Sequence, residues 1–375
     1  MPAPMLPSFV ALLGLGLSAA PPPSPAAPSA SAVLHAQCRT HAADPSHPWA
    51  LAHGMDLDGK AFRARDGRPA SDAIVMGFLH RDVPDAGATP ARYFFDAFTP
   101  DGIPVEPHPA LQVKTFVLAG YPLSHTFRTA WGKVTLRELV ASLQRDFRPT
   151  LATSPDGAWA LDALSHVLEP GGSFVNGAGE TVRIDAVMDA ALATLESANA
   201  ELTRGMKAGL PQVPKNKQGI YAHPCGGLHF FQAVAGWARF PAVRKAWGSR
   251  LDAQVDVLAY RLGSEARQYE AALTAAPAYR VPVLVQMVKF HGHFLEALGR
   301  YRDETGWKPT PAQARAVEAA KAALESATLR LEATGAFRDT EGLARTQPQL
   351  ALDLVGDACH AARGWDLWAP AAKPR

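Results

Sequence analysis

Between Tyr221 and Gln232 the chain gathers a thiol, two imidazoles and an amide within twelve residues. With Pro224 as the first helical residue, Cys225, His229 and Gln232 fall at i, i+4 and i+7 and stack on one face. Phe230, Val234 and Trp237 take another face. A thiol at a helix N-terminus feels the positive end of the dipole, which lowers its pKa. His229, one turn on, is placed to take that proton or to share a metal. Thiolate and imidazole are the ligands zinc prefers in a tetrahedral site. Gly226 and Gly227 cost helix stability but admit a ligand or a neighbouring helix. His223 and Gln232 are expected to line the same cavity.

A second cluster lies near the C-terminus. Asp353, Asp357 and His360 share one helical face, Leu354, Val355, Ala358, Ala362 and Trp365 form the opposite one, and Cys359 sits at the edge between them. A carboxylate beside a histidine orients the ring and raises its basicity, as a metal-site support or a general base requires. Asp357 and His360 are therefore the catalytic candidates. Across residues 281–302, Gln286, Lys289, His293, Glu296 and Arg300 form a polar face that reads as solvated. His291 points to the apolar side with Met287, Phe294 and Leu298 and is a further cavity-lining candidate, against the alternative of an ordinary core histidine. His47 and His53 stand six apart, which does not put both rings on one helical face, so the group with Asp56 and Asp58 is not expected to hold a metal.

Helices must position these groups. Apolar residues at three- and four-residue spacing predict helices near 48–55, 71–80, 109–120, 134–147, 157–168, 181–207, 225–239, 241–262, 264–275, 281–302, 310–335 and 347–365. Breakers separate them at Gly171-Gly172, Pro211 to Lys217, Pro277 and Gly306 to Pro309. The segment from Arg92 to Phe98 reads as a short strand or a loop. The chain is thus expected to be all-α. Polar or small residues open several of these helices every 48 to 71 residues, three of them as His-Pro. That length suits a helical hairpin plus loops, so an α/α toroid is one architecture and an irregular helical bundle the other.

On these residues the chain resembles the lanthionine-cyclase-like family. Cys225-Gly226-Gly227 and Cys359-His360 correspond in order and type to that family's cysteine beside glycine and its Cys-His pair. The resemblance implies an α/α toroid with zinc held by Cys225, Cys359 and His360, which the helical spacing of His229 would join as a ligand. The 134 residues between the two elements exceed the family's usual gap, and Ala361 stands where a glycine is expected.

The chain has 375 residues, 47% hydrophobic, with 37 basic and 35 acidic residues and a formal net charge of +2. Such balance gives no electrostatic footprint for nucleic acid. Phe9 to Ala20 is an apolar run of 12 residues, too short for a membrane span, which takes about 20. It suits the core of an export signal, and Ala30-Ser31-Ala32 is a candidate cleavage site. No later run is long enough for a transmembrane helix. The expected organisation is a signal and Pro/Ala-rich leader over 1–32 and one helical domain over 33–375, placed in the periplasm or outside the cell. Among three cysteines, one disulfide and one free thiol fit an oxidising space, and the spacing does not identify the odd one. His-Glu-x-x-His, G-x-S-x-G, Walker and dinucleotide motifs are all absent. Three readings stay open: a zinc-dependent enzyme, a metal-free enzyme acting on glycans or through Cys225 as nucleophile, and a non-enzymatic envelope protein. The partner is a small molecule, a glycan or a peptide.

Overall fold

The computed structural model describes residues 28–82, 91–214, 225 and 227–369. Among them the chain is all-α, with fourteen α-helices. These are α1 (Ala30–His41), α2 (Pro48–Asp58), α3 (Ala70–Phe78), α4 (Leu111–Leu118), α5 (Leu136–Asp146), α6 (Ala158–Val167), α7 (Ile184–Ala198), α8 (Ala200–Lys207), α9 (Leu228–Gly236), α10 (Pro241–Ala275), α11 (Arg280–Thr305), α12 (Pro311–Glu332), α13 (Thr340–Thr346) and α14 (Pro348–Leu367).

Their ends follow from local chemistry. Proline opens α2, α10, α12 and α14, where its missing N–H costs nothing. Thr135 with Glu138 and Thr310 with Gln313 form reciprocal capping boxes on α5 and α12, each satisfying orphan backbone donors. The helices expected at 241–262 and 264–275 are one 35-residue helix running through Gly263. Glycine there weakens a helix by about 1 kcal/mol, and the buried Arg261–Glu265 ion pair straddles the position. The helix expected over 181–207 divides at Asn199, which is fully buried and donates to Gln254 Oε1 at 2.6 Å.

The segment from Arg92, expected as a short strand or a loop, holds a strand over Arg92–Phe95, and two other features departed from the pattern. Three antiparallel hairpins pair β1 (Leu79–Asp82) with β2 (Arg92–Phe95), β3 (Thr126–Thr129) with β4 (Gly132–Thr135), and β5 (Ser173–Val175) with β6 (Thr181–Arg183). Strands of three or four residues are too short to show alternation. In addition, α1 begins at Ala30, capped by Ser29, with Ala30 and Leu34 fully buried. The expected boundary at residue 32 therefore falls inside the first turn of a packed helix. The apolar run Phe9 to Ala20 lies outside the described residues.

Two apolar clusters form the interior. The larger one takes α6, α7 and α9–α12; the smaller takes α2–α5 and the first two hairpins. α1, α4 and α14 belong to both: Leu354, Ala358 and Ala362 of α14 enter the larger cluster, Val355 and Cys359 the smaller. α11 packs on α14, α12, α9 and α10, and every residue from Met287 to Tyr301 is buried. Over that stretch α11 is buried on every side and lies in the interior.

Two close approaches fix the seam between α11 and α14. A Cβ on Gly292 would meet the Ala361 Cα at 2.7 Å, and one on Gly364 would meet the Gly292 carbonyl at 2.6 Å. Only hydrogen fits at both positions. His293 and His360 are the immediate neighbours of this contact. The Cys38–Cys359 disulfide, spanning 321 residues, ties α1 to α14 one position before His360. Cys225 is the free, buried cysteine.

Candidate metal centre

At the junction of the two apolar clusters lies a cavity of about 310 Å³. Phe98 and Gln349, both exposed, stand at its mouth. Its depth is formed by His229, His293 and His360, all buried. Gly227, at φ +78°, turns the chain into α9 and sets His229 in the first turn. α11 supplies His293 and α14 supplies His360. One nitrogen of each ring lies within 4.8 Å of the others. Ring centroids stand 4.2 Å apart for His293 and His360, 4.8 Å for His229 and His293, and 5.0 Å for His229 and His360.

Two of the three rings are held from behind. His360 donates from Nδ1 to Glu296 Oε2 at 2.7 Å, and Glu296 also meets Arg363 at 3.2 Å. His229 donates from Nδ1 to Gln232 Oε1 at 3.1 Å. The same oxygen accepts from Arg300, which forms a two-pronged pair with Asp162 at 2.9 and 3.0 Å. With Nδ1 carrying the proton, each ring turns the Nε2 lone pair outward, the arrangement seen behind metal-binding histidines. His293 has no such support: its Nδ1 is buried with no hydrogen-bond partner. Burial holds all three imidazoles well below their usual pKa, and each feels a neighbouring His as a further opposing charge. Neutral rings are the form that binds metal.

One turn along the same seam, Lys289 of α11 meets Asp353 at 3.1 Å and Asp357 at 3.4 Å on α14. At 1.5 Å per residue, Lys289 sits about 6 Å along the helix from His293. Burial, reinforced by Asp353, pushes the Asp357 carboxyl up to about 8 against the pull of Lys289. On the α2 side, the His53 ring lies tilted against Trp49 with centroids 3.9 Å apart and meets His360 edge-on at 5.0 Å. Asp56 is paired with Lys114 at 3.0 Å; burial alone would raise its pKa, but Lys114 and the other cations hold it well below the carboxylate range.

No family model, curated protein or solved structure matches this chain. What the site is must be read from its own geometry.

Of the residues expected from sequence, His229 and His360 are brought together, and Asp353 and Asp357 line the same cavity. Cys225 also lines it but precedes the helix instead of sitting inside it. Burial therefore governs its thiol and pushes the pKa up, the reverse of the expected lowering. Cys359 is not a ligand: its sulfur is bonded to Cys38. Gln232 lies behind His229 as a support and is absent from the cavity wall. His291 projects from another side of α11, fully buried beside Phe290, with neither ring nitrogen hydrogen-bonded and its pKa lowered by burial to about 4. It is no part of the cavity wall. His223 lies outside the described residues.

His293 and Glu296 were missed because their face read as solvated. Lys289, His293, Glu296 and Arg300 are instead all buried. The signal was present: these four occupy one narrow row, and nearly everything between them is apolar or glycine. Such a helix has little surface left for water. His53 and Asp56, discounted on spacing, face the cavity because it is built from six helices and not from one.

Proposed function

We propose that the protein is an exported, zinc-type metalloenzyme. His229, His293 and His360 would hold one divalent ion and leave a coordination position open toward the cavity. The observation that carries this reading is the convergence of three buried, neutral imidazoles, two of them with Nδ1 pinned by acceptors. Three histidines with an open fourth position form a catalytic donor set, whereas closed structural zinc sites use four protein ligands. An ion so held lowers the pKa of bound water toward 7 and polarises a substrate carbonyl or phosphoryl group.

The protein's own groups divide the remaining work. Glu296 and Gln232 orient two ligand rings. Asp357, held protonated by burial near neutral pH, is the group placed to pass a proton to a leaving group. Trp49 and Trp159 give the cavity flat apolar walls. The volume suits a small molecule, or one unit of a glycan or peptide. Export is supported by the Cys38–Cys359 disulfide and by the apolar run near the N-terminus. Among the described residues, no single helix is long and apolar enough to cross a membrane. The rival in which Cys225 is a nucleophile has less support, because burial keeps that thiol protonated.

Elemental analysis of purified, dialysed protein tests the reading. One equivalent of zinc or a similar ion is expected, and His293→Ala should lose it while remaining folded. Wild type without stoichiometric metal, even after incubation with zinc, overturns it.

A further inference from the structure

A second hollow of about 320 Å³ adjoins the metal cavity. The two share Pro104 and Leu352 as lining residues. Two helices, α2 and α14, line both: α14 turns Gln349, Asp353 and Asp357 toward the cavity and Ala351 and Val355 toward the groove, with Leu352 shared between them. On α2, Trp49 faces one side and Ala50 the other. The groove's apolar lining is buried Ala50, Ala351 and Val355 with half-buried Ile103, Pro104 and Leu352, and buried Thr340 with half-buried His41 and His47 adds polar groups at its edge. Exposed Asp101 and Glu341 stand on its solvent side.

We infer that the substrate is amphiphilic, with a polar, metal-binding head in the His229/His293/His360 cavity and an aliphatic chain lying over Pro104 and Leu352 into this groove. The inference rests on the metal reading above and adds a substrate class to it. A flexible chain suits the groove because the groove continues from the metal cavity across Pro104 and Leu352, so a tail attached to a head bound there reaches it directly. The two acids at its outer side oppose a chain that ends in an anion. The apolar walls reward each methylene withdrawn from water.

Alkyl hydroxamates are a suitable probe, since their head groups chelate zinc and their tails differ only in length. Affinities of zinc-loaded protein are measured for the series from acetohydroxamate to dodecanohydroxamate. Binding is expected to tighten about two- to fourfold per methylene over several carbons and then level off as the groove fills. Ala351→Trp, and independently Ile103→Trp on the opposite wall, should abolish the gain with length and leave acetohydroxamate affinity within about twofold. Equal affinity across the series, with acetohydroxamate bound, overturns the groove while keeping the metal site. A length gain untouched by both tryptophans does the same. Failure of acetohydroxamate to bind zinc-loaded protein overturns both readings together.

Discussion

Replacing Gly292 by alanine is expected to damage both stability and metal binding through one added carbon. Its Cβ would lie 2.7 Å from both the Cα and the Cβ of Ala361 and 3.1 Å from the Ala361 nitrogen. Ordinary carbon contacts are about 3.5 Å or longer, so α11 and α14 must part by about 1 Å. The obstacle is largely backbone, which cannot rotate aside. Overpacking of this kind costs about 1–3 kcal/mol, and the upper end applies here. Alanine returns about 1 kcal/mol of helix propensity, leaving a net loss of about 2 kcal/mol. His293 is the next residue, so the same movement pulls its ring from His360; metal affinity should fall about 10–100-fold, as when ligand support is removed. Gly248→Ala on α10 is the control. Nothing lies within 4 Å of its added carbon, so it should gain about 0.5–1 kcal/mol and bind metal unchanged. Urea denaturation and zinc titration of both variants decide the matter. A Gly292→Ala protein as stable as Gly248→Ala, with wild-type affinity, refutes the idea that this crossing sets the site.

Glu296→Gln keeps the shape but weakens the acceptor behind His360, and zinc affinity should drop about 10–100-fold with little change in fold by circular dichroism. Cys38→Ala with Cys359→Ala removes a cross-link over 321 residues and should cost about 3–5 kcal/mol, read as a lower urea midpoint; an unchanged midpoint would mean the disulfide does not form in the native protein. The Glu106 carboxyl, beside the backbone N–H of Gln112 at 2.9 Å, is pushed up to about 8 by burial. The folded form then keeps a proton that the unfolded chain releases near its ordinary value, so this group's contribution is full at low pH and fades as pH rises toward 8. Glu106→Gln should flatten that decline by about 1–2 kcal/mol, discounted for partial exposure; parallel stability–pH curves for both proteins would contradict it.

The all-α class and most helix positions were legible because apolar periodicity over ten or more residues is a strong signal. Short hairpins such as Thr126–Thr129 with Gly132–Thr135 carry no such period. Two of the three candidate ligands were legible too. His229 and His360 stood out beside cysteines, yet the sulfur that drew attention to His360 belongs to a disulfide with Cys38. Pairing over that distance is set by tertiary contact between α1 and α14, which no local pattern encodes. His293 escaped notice because a charged row on a helix is ordinarily solvated. Here it is buried through Arg300–Asp162, Glu296–His360 and Lys289–Asp353, partners that lie 64 to 138 residues away. The α9 start was misplaced by three residues, since Gly227 in a left-handed conformation delays the helix past Cys225.

The most direct test of the three-histidine centre is anomalous X-ray diffraction at the zinc edge from crystals grown with zinc. One strong peak is expected at the deep end of the cavity, about 2.0–2.1 Å from a nitrogen of each of His229, His293 and His360, drawn inward from their present spacing. A map with no peak there, or with the ion held elsewhere, contradicts it.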